Sequence, residues 1–172
     1  MTSRQKDRDA PGPREPWNRI VPHLWVGGHY FTPPGGEREP AVVDDEFDLV
    51  VSLFTLPGHG PAPGVEHIVR EVPDDYLTAP QLRAVQEAAT LTAHAVRQGR
   101  RTLVRCHSGY NRSGLVAAQA LVELGHEAGR AIALVREHRS PRALANVAFV
   151  DYLTTGLDTA YLLAGLDTGT DG

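Results

Sequence analysis

The chain holds one cysteine, Cys106, and an arginine, Arg112, stands six residues after it. Between them lie His107, Ser108, Gly109, Tyr110 and Asn111, and Ser113-Gly114 follows. A thiolate is a strong nucleophile, and a thiol placed over a helix N-terminus gives up its proton more readily because the loop N–H groups stabilise the anion. An arginine offers a planar fork that matches two oxygens of a phosphate. A nucleophile, a cradle of backbone N–H groups and a fork in one short loop are the parts needed to attack phosphorus.

Those residues work only if the backbone around them is rigid. Thr102-Leu103-Val104-Arg105-Cys106 is an apolar run of strand type. A helix is expected from Arg112 or Ser113 to Leu124, stopped by Gly125. Strand, tight loop and helix N-terminus together make an anion site, since loop N–H groups converge and the helix dipole favours negative charge. A cysteine and an arginine at this spacing arise often by chance. The added glycine, the Ser-Gly pair, the strand and the helix make a merely buried structural cysteine the weaker reading.

The pattern Cys106-x5-Arg112-Ser113, with Gly109 inside it, resembles the signature loop of the cysteine-dependent protein tyrosine phosphatase superfamily, nearest to its compact dual-specificity branch. Arg19-Ile20-Val21-Pro22-His23-Leu24-Trp25-Val26-Gly27 resembles the opening hairpin of that branch. Ala143-Leu144-Ala145-Asn146-Val147-Ala148-Phe149 resembles its C-terminal segment, with Asn146 and Phe149 structural. The resemblance runs roughly from residue 20 to residue 153. It implies phosphoric monoester hydrolysis in two steps through a phosphocysteine, with no metal and no cofactor. Cys106 would attack, and Arg112 with the loop residues His107, Ser108, Gly109, Tyr110 and Asn111 would hold the phosphate. Ser113 would stabilise the departing thiolate, and an aspartate would protonate the leaving oxygen. Asp74 and Asp75 both suit that last role, and the phrase Val72-Pro73-Asp74 favours Asp74, leaving Asp75 to hold the turn. One position departs from the family, which has His before the cysteine where this chain has Arg105. Strand alternation sends residue 105 to the opposite side of the sheet from residue 106. Arg105 is expected to sit in a buried hydrogen-bond network or against a carboxylate.

The elements around the loop read as one α/β domain: a central, mostly parallel sheet flanked by helices, with the Cys-x5-Arg loop between strand and helix. Two short strands are expected over 20–28, with Trp25 in hairpin packing, a loop over 29–39, and strands over 47–54 and 65–72. Thr78 and Pro80 open a helix that Gly99 closes. Helices are also expected over 128–138 and from Ala145 to about Leu153, with a last turn at Tyr161-Leu162-Leu163. The glycine-rich stretch 56–64 mimics a dinucleotide fingerprint, but two prolines interrupt it and no helix follows, so it reads as a surface loop. The expected organisation is a disordered N-terminal tail over 1–16, a phosphatase domain over 17–164 and a C-terminal tail over 165–172.

Composition bounds the function. With 172 residues, 41% apolar and 22% charged, the chain fits one soluble domain with a proper core. Only Lys6 among the 17 basic residues is a lysine, and the net charge is −4, so no basic block recruits nucleic acid or a membrane. The first residues lack the apolar core of a secretory signal, and no apolar run approaches the ~18 residues of a membrane span. A lone cysteine fits a reducing, cytoplasmic setting. The eight histidines show no metal-ligand spacing. The expected partner is a phosphorylated protein or peptide, phosphotyrosine first and phosphoserine or phosphothreonine after it. Gly109-Tyr110-Asn111-Arg112-Ser113-Gly114 also resembles the loop of RNA 5′-triphosphatases. Inositol and lipid phosphatases carry lysines in this loop that are absent here. A catalytically silent phosphopeptide-binding module is the alternative of another class. Sulfurtransferases and arsenate reductases fit poorly, the former by loop size and the latter by their need for more cysteines.

Overall fold

The computed structural model of the protein describes residues 12–157. The strands in chain order are β1 (Trp17–Val21), β2 (Leu24–Gly27), β3 (Tyr30–Phe31), β4 (Glu39–Pro40), β5 (Leu49–Ser52), β6 (Glu66–Val69) and β7 (Thr102–Arg105). The main sheet has the order β1-β2-β7-β5-β6, so β7 is central. β1 and β2 form an antiparallel hairpin and every other pairing in this sheet is parallel. The central position explains why β7 is buried at all four residues, and why its sequence is Leu-Val-rich rather than alternating with polar residues.

Alternation along β7 feeds two cores. Val104 joins Leu24, Val26 and Val51 in the larger cluster, which takes in residues of all the helices. Leu103 joins Val43, Phe47 and Val50 on the other face, where Trp17 and Trp25 close the packing edge-on to Phe47. No helix residue enters that second cluster. The sheet therefore carries helices on one face and an aromatic patch with loops on the other.

The helices are α1 (Ala79–Arg97), α2 (Arg112–Glu123), α3 (Ala128–His138) and α4 (Val147–Asp151), the last running on as a π-helical turn at Tyr152–Gly156. Thr78 caps α1 reciprocally with Gln81, and Pro80 fills the first turn, where its missing N–H costs nothing. Gly99, at φ 73°, takes the left-handed position that ends the helix. Among the described residues no helix is long and apolar enough to cross a membrane.

Four details differ from the sequence expectation. α4 starts at Val147 rather than Ala145, because Leu144 is left-handed at φ 58° and the Asn146 side chain caps Phe149 N. The stretch 29–39 contains β3, which pairs with β4, as Tyr30↔Pro40 and Phe31↔Glu39. Two-residue strands leave no periodicity to read. The stretch 56–64 is not simply a surface loop, since His59 is buried and the carbonyls of His59 and Gly60 point inward to a buried arginine. Residues 12–16, assigned above to the tail, pack on the domain: Pro13 is buried and its carbonyl accepts from Thr32 N at 2.8 Å. The expected turn at Tyr161 and the tail over 165–172 lie outside the described residues.

Candidate active site

β7 ends at Arg105 and α2 begins at Arg112, so residues 106–111 form the loop between them. The Cys106 thiol is buried, with Sγ 3.3 Å from Ser113 Oγ in the first turn of α2. Asn111 stands at the N-cap of α2 but its side chain makes no capping bond. The first-turn N–H groups are thus left without a side-chain cap, the condition in which a helix end favours an anion.

The loop is pressed against the end of β2. A Cβ on Gly28 would lie 2.7 Å from the His107 carbonyl oxygen, and one on Gly109 would lie 2.6 Å from the Gly27 carbonyl. Gly109 also needs its φ of +78°, which a side chain would strain. His29 N donates to the His107 carbonyl at 2.8 Å, and Cys106 N to the Gly27 carbonyl at 3.3 Å. From behind, the buried Arg139 guanidinium donates to the carbonyls of Ser108 (2.9 Å), Gly109 (3.3 Å) and Glu15 (2.9 Å) and to Asn18 Oδ1 (2.8 Å). Loop carbonyls drawn to one side turn the neighbouring N–H groups toward the other. Burial holds Arg139 down to about 10, offset in part by Tyr110 and Cys106.

The loop opens on a cleft of about 520 Å³, which Cys106, Arg112, Asp74, Phe54 and Tyr30 all line. Arg112 reaches over the Phe54 ring, 5.2 Å from its centre, and Nη1 donates to the Val72 carbonyl at 3.2 Å. His107 packs between Phe54 and Tyr30, with ring centres 5.5 and 5.7 Å away. Asp74 is buried, accepting at Oδ2 from Asn111 Nδ2 and at Oδ1 from Asn146 Nδ2, both at 2.9 Å. Asn146 N in turn donates to Asn111 Oδ1 at 3.1 Å. The Asp74 carboxyl group is therefore bolted to the 106–111 loop and to the cap of α4 at once. Asp75 is exposed, bonds Tyr76 N at 2.8 Å and does not line the cleft.

No protein-family model matches the chain, and no curated protein sequence matches it. Solved structures do. Human DUSP28 superposes with a TM-score of 0.65 at 24% identity, over 87% of this chain and 99% of that one. OH1 from the Orf virus, a tyrosine phosphatase with triple substrate specificity, gives 0.56 at 20% identity, over 87% and 91%. The human tyrosine phosphatase-like serine/threonine/tyrosine-interacting protein gives 0.60 at 16% identity, over 85% and 97%. This is the fold of the compact dual-specificity phosphatases.

Within that phosphatase fold the sequence-predicted residues separate by placement. Cys106, His107, Ser108, Asn111, Arg112 and Asp74 line the cleft, and Ser113 lies directly behind the thiol. Gly109 serves the backbone turn. Tyr110 is buried and turned away, lining a second hollow beside Arg139, so its side chain is not part of the cleft. The Asn111 side chain is directed to Asp74. Arg105 points to the helix-free face, where Nε donates to Ser52 Oγ (3.0 Å), Nη1 to the His59 carbonyl (2.9 Å) and Nη2 to the Gly60 carbonyl (2.6 Å). Ser52 is bonded further to His67, and burial pushes Arg105 down to about 10. It sits in a network of neutral acceptors. Among the described residues no group of three or more His, Cys, Asp or Glu side chains is arranged to hold a metal.

Sequence reasoning missed Arg139, His29 and the joint work of Asn111 and Asn146. Their bonds link residues far apart in the chain, and such bonds leave no local pattern. The Gly27-Gly28 pair at a strand end was the one available signal of close backbone approach.

Proposed function

We propose that the chain is a phosphoric monoester hydrolase that dephosphorylates protein phosphotyrosine, with phosphoserine and phosphothreonine as further substrates, through a phosphocysteine. Cys106 Sγ attacks phosphorus and the bond to the leaving oxygen breaks. Loop N–H groups and the Arg112 fork hold the equatorial oxygens as charge grows on them. Asp74 gives its proton to the leaving oxygen, then accepts one from the water that attacks the phosphocysteine. Ser113 Oγ donates to Sγ as the thiolate departs. Asp75 holds the turn. The observation that carries the reading is the convergence of Asp74 and Cys106, on separate elements, at one cleft with aromatic walls. Phe54 and Tyr30 suit a phosphorylated ring better than a sugar or an inositol.

The test is turnover of p-nitrophenyl phosphate and of phosphotyrosyl and phosphoseryl peptides, beside an inositol phosphate and a triphosphorylated RNA. Phosphotyrosyl peptide is expected to be the best substrate. Cys106→Ser is expected to lose turnover by on the order of 10⁴-fold or more while still binding phosphopeptide. Binding without any turnover by the unaltered chain would make it a phosphopeptide-binding module instead.

A further inference from the structure

Both aromatic walls of the cleft rest on a pair of histidines that stand behind them. Tyr30 and Phe54 line the cleft, and His29 and His59 do not. The His59 ring is edge-on to Tyr30 at 5.2 Å and to His29 at 5.0 Å. His29 carries the contact on to Phe54, edge-on at 5.6 Å, and its Nε2 donates to the Phe54 carbonyl at 2.7 Å. His59 therefore reaches Tyr30 directly and Phe54 through His29. His107, in the 106–111 loop, touches both walls from the cleft side.

What places His59 comes from the helix-free face of the sheet. Among the described residues its buried Nδ1 has no partner, so no hydrogen bond at that atom sets the ring. Its backbone is set instead. Arg105 Nη1 donates to the His59 carbonyl at 2.9 Å and Nη2 to the Gly60 carbonyl at 2.6 Å, while Nε donates to Ser52 Oγ at 3.0 Å. Val43 N shares the His59 carbonyl at 3.1 Å, and a Cβ on Gly60 would overlap the Val43 carbonyl oxygen. A planar fork that grips two consecutive carbonyls fixes their orientation, which a point charge on a flexible stem does not. Arg105 is buried and does not itself line the cleft. It acts on the walls only at a distance, through the 56–64 loop.

We propose that Arg105 is a positioning residue for ring selection. By holding the carbonyls of His59 and Gly60 it seats the His59–His29 pair behind Tyr30 and Phe54, and so sets the gap that takes a phosphorylated aromatic ring. The proposal rests on the phosphotyrosine reading and deepens it. Removing the guanidinium loosens the walls and spares the phosphate cradle, because Arg139 holds the 106–111 loop from another side.

The test uses binding to Cys106→Ser protein, so it stands whether or not the chain turns over. The probes are N-acetyl phosphotyrosine amide and N-acetyl phosphoserine amide, which differ by the ring, each titrated calorimetrically. The parent protein is expected to favour phosphotyrosine. Arg105→Met is expected to weaken phosphotyrosine ~3–10-fold and to leave phosphoserine within about twofold. His59→Ala should do the same from the far end of the link, and the two together should lose little more than either alone, since they act in series. His59→Phe, which keeps the ring contacts, should keep the preference. Equal loss on both probes would place Arg105 on the phosphate loop and overturn the proposal. Unchanged binding, additive losses, or a parent protein without the phosphotyrosine preference would overturn it as well. Arg105→Lys keeps the charge without the fork and serves where Arg105→Met does not fold; an undiminished preference in it would also sink the proposal. Matched melting curves check that each variant is folded. Turnover of p-nitrophenyl phosphate by the chain with Cys106 intact reports separately on the phosphatase reading.

Discussion

The two faces of the central sheet do different work, and adjacent residues of β7 show it. Val104 and Cys106 look toward the helices, where the packing is aliphatic and the helix that follows presents its N-terminus to the thiol. Leu103 and Arg105 look the other way, toward Phe47, the tryptophans and the carbonyls of His59 and Gly60. Both side chains at the strand end are buried, and both are chemically demanding. Cys106 lines the cleft, and Arg105 holds a loop without a helix. A single strand supplies a cleft-lining thiol to one layer and a cross-brace to the other, so substitutions one residue apart should fail in different ways.

The sharpest test of that contrast is the pair Asp74→Asn and Asp75→Asn, on the reactive side. Asp74→Asn is expected to lose ~10²–10⁴-fold on a phosphotyrosyl peptide. The loss should shrink on an aryl phosphate with a very good leaving group, whose oxygen needs no proton. Asp75→Asn should stay near the unaltered rate. Steady-state kinetics across a leaving-group series decides it, and a reversed order would move the acid by one residue. Arg112→Lys comes next. It keeps the charge but loses the fork, and is expected to cost about 10²–10³-fold in kcat. Vanadate affinity should fall with it, and near-normal vanadate binding would make Arg112 a structural residue.

On the other face the expected signature is the reverse. Arg105→Met should leave kcat within about tenfold but strand the carbonyls of His59 and Gly60, costing roughly 1–3 kcal/mol for each buried group left unpaired. Urea unfolding measures it. A large loss of kcat with unchanged stability would erase the distinction between the faces.

The smallest effect lies at their junction. His29 Nε2 donates to the Phe54 carbonyl at 2.7 Å, and Nδ1 has no partner, so the ring is held neutral. Burial lowers it from the ordinary 6.5 to about 4, with Arg105, His59 and His107 adding repulsion against the partly opposing Phe54 bond. The unfolded chain takes up a proton that the folded chain refuses. Its contribution to stability is therefore complete above pH 6.5 and is lost as pH falls toward 4. His67 and His107 are lowered too and share the sign. Melting temperature should drop between pH 7 and pH 5, and His29→Gln should flatten part of the slope.

The same contrast governs how much could be read from sequence. The helical layer was legible because helices announce themselves locally. Thr78 and Pro80 marked the start of α1, Gly99 its end, and α3 runs over the expected 128–138. The Cys106–Arg112 loop was legible for the same reason, being contiguous. The helix-free face was not. β3 and β4 are two residues each, and the inward turn of the 56–64 loop depends on a guanidinium more than forty positions away, reaching His59 across a separation of 46. Within the site, Asp74 and Asp75 are neighbours on a loop, and only the resemblance of Val72-Pro73-Asp74 to a family phrase favoured Asp74 in the sequence. Burial and two amides separate them, one of which, on Asn146, is 72 residues away in the chain.

The Arg139 clamp has a consequence in time. Arg139 bonds the Glu15 carbonyl across a separation of 124 residues while it holds the carbonyls of Ser108 and Gly109, and Asn146, which helps hold Asp74, is made later still. A nascent chain therefore carries its thiol and its fork well before it owns the parts that set them in order. Contacts of such long separation close late, because loop entropy must be overcome before they repay it. The growing polypeptide holds Cys106 and Arg112 but not their frame, and translation must run past residue 146 before the 106–111 loop and Asp74 can be fixed together.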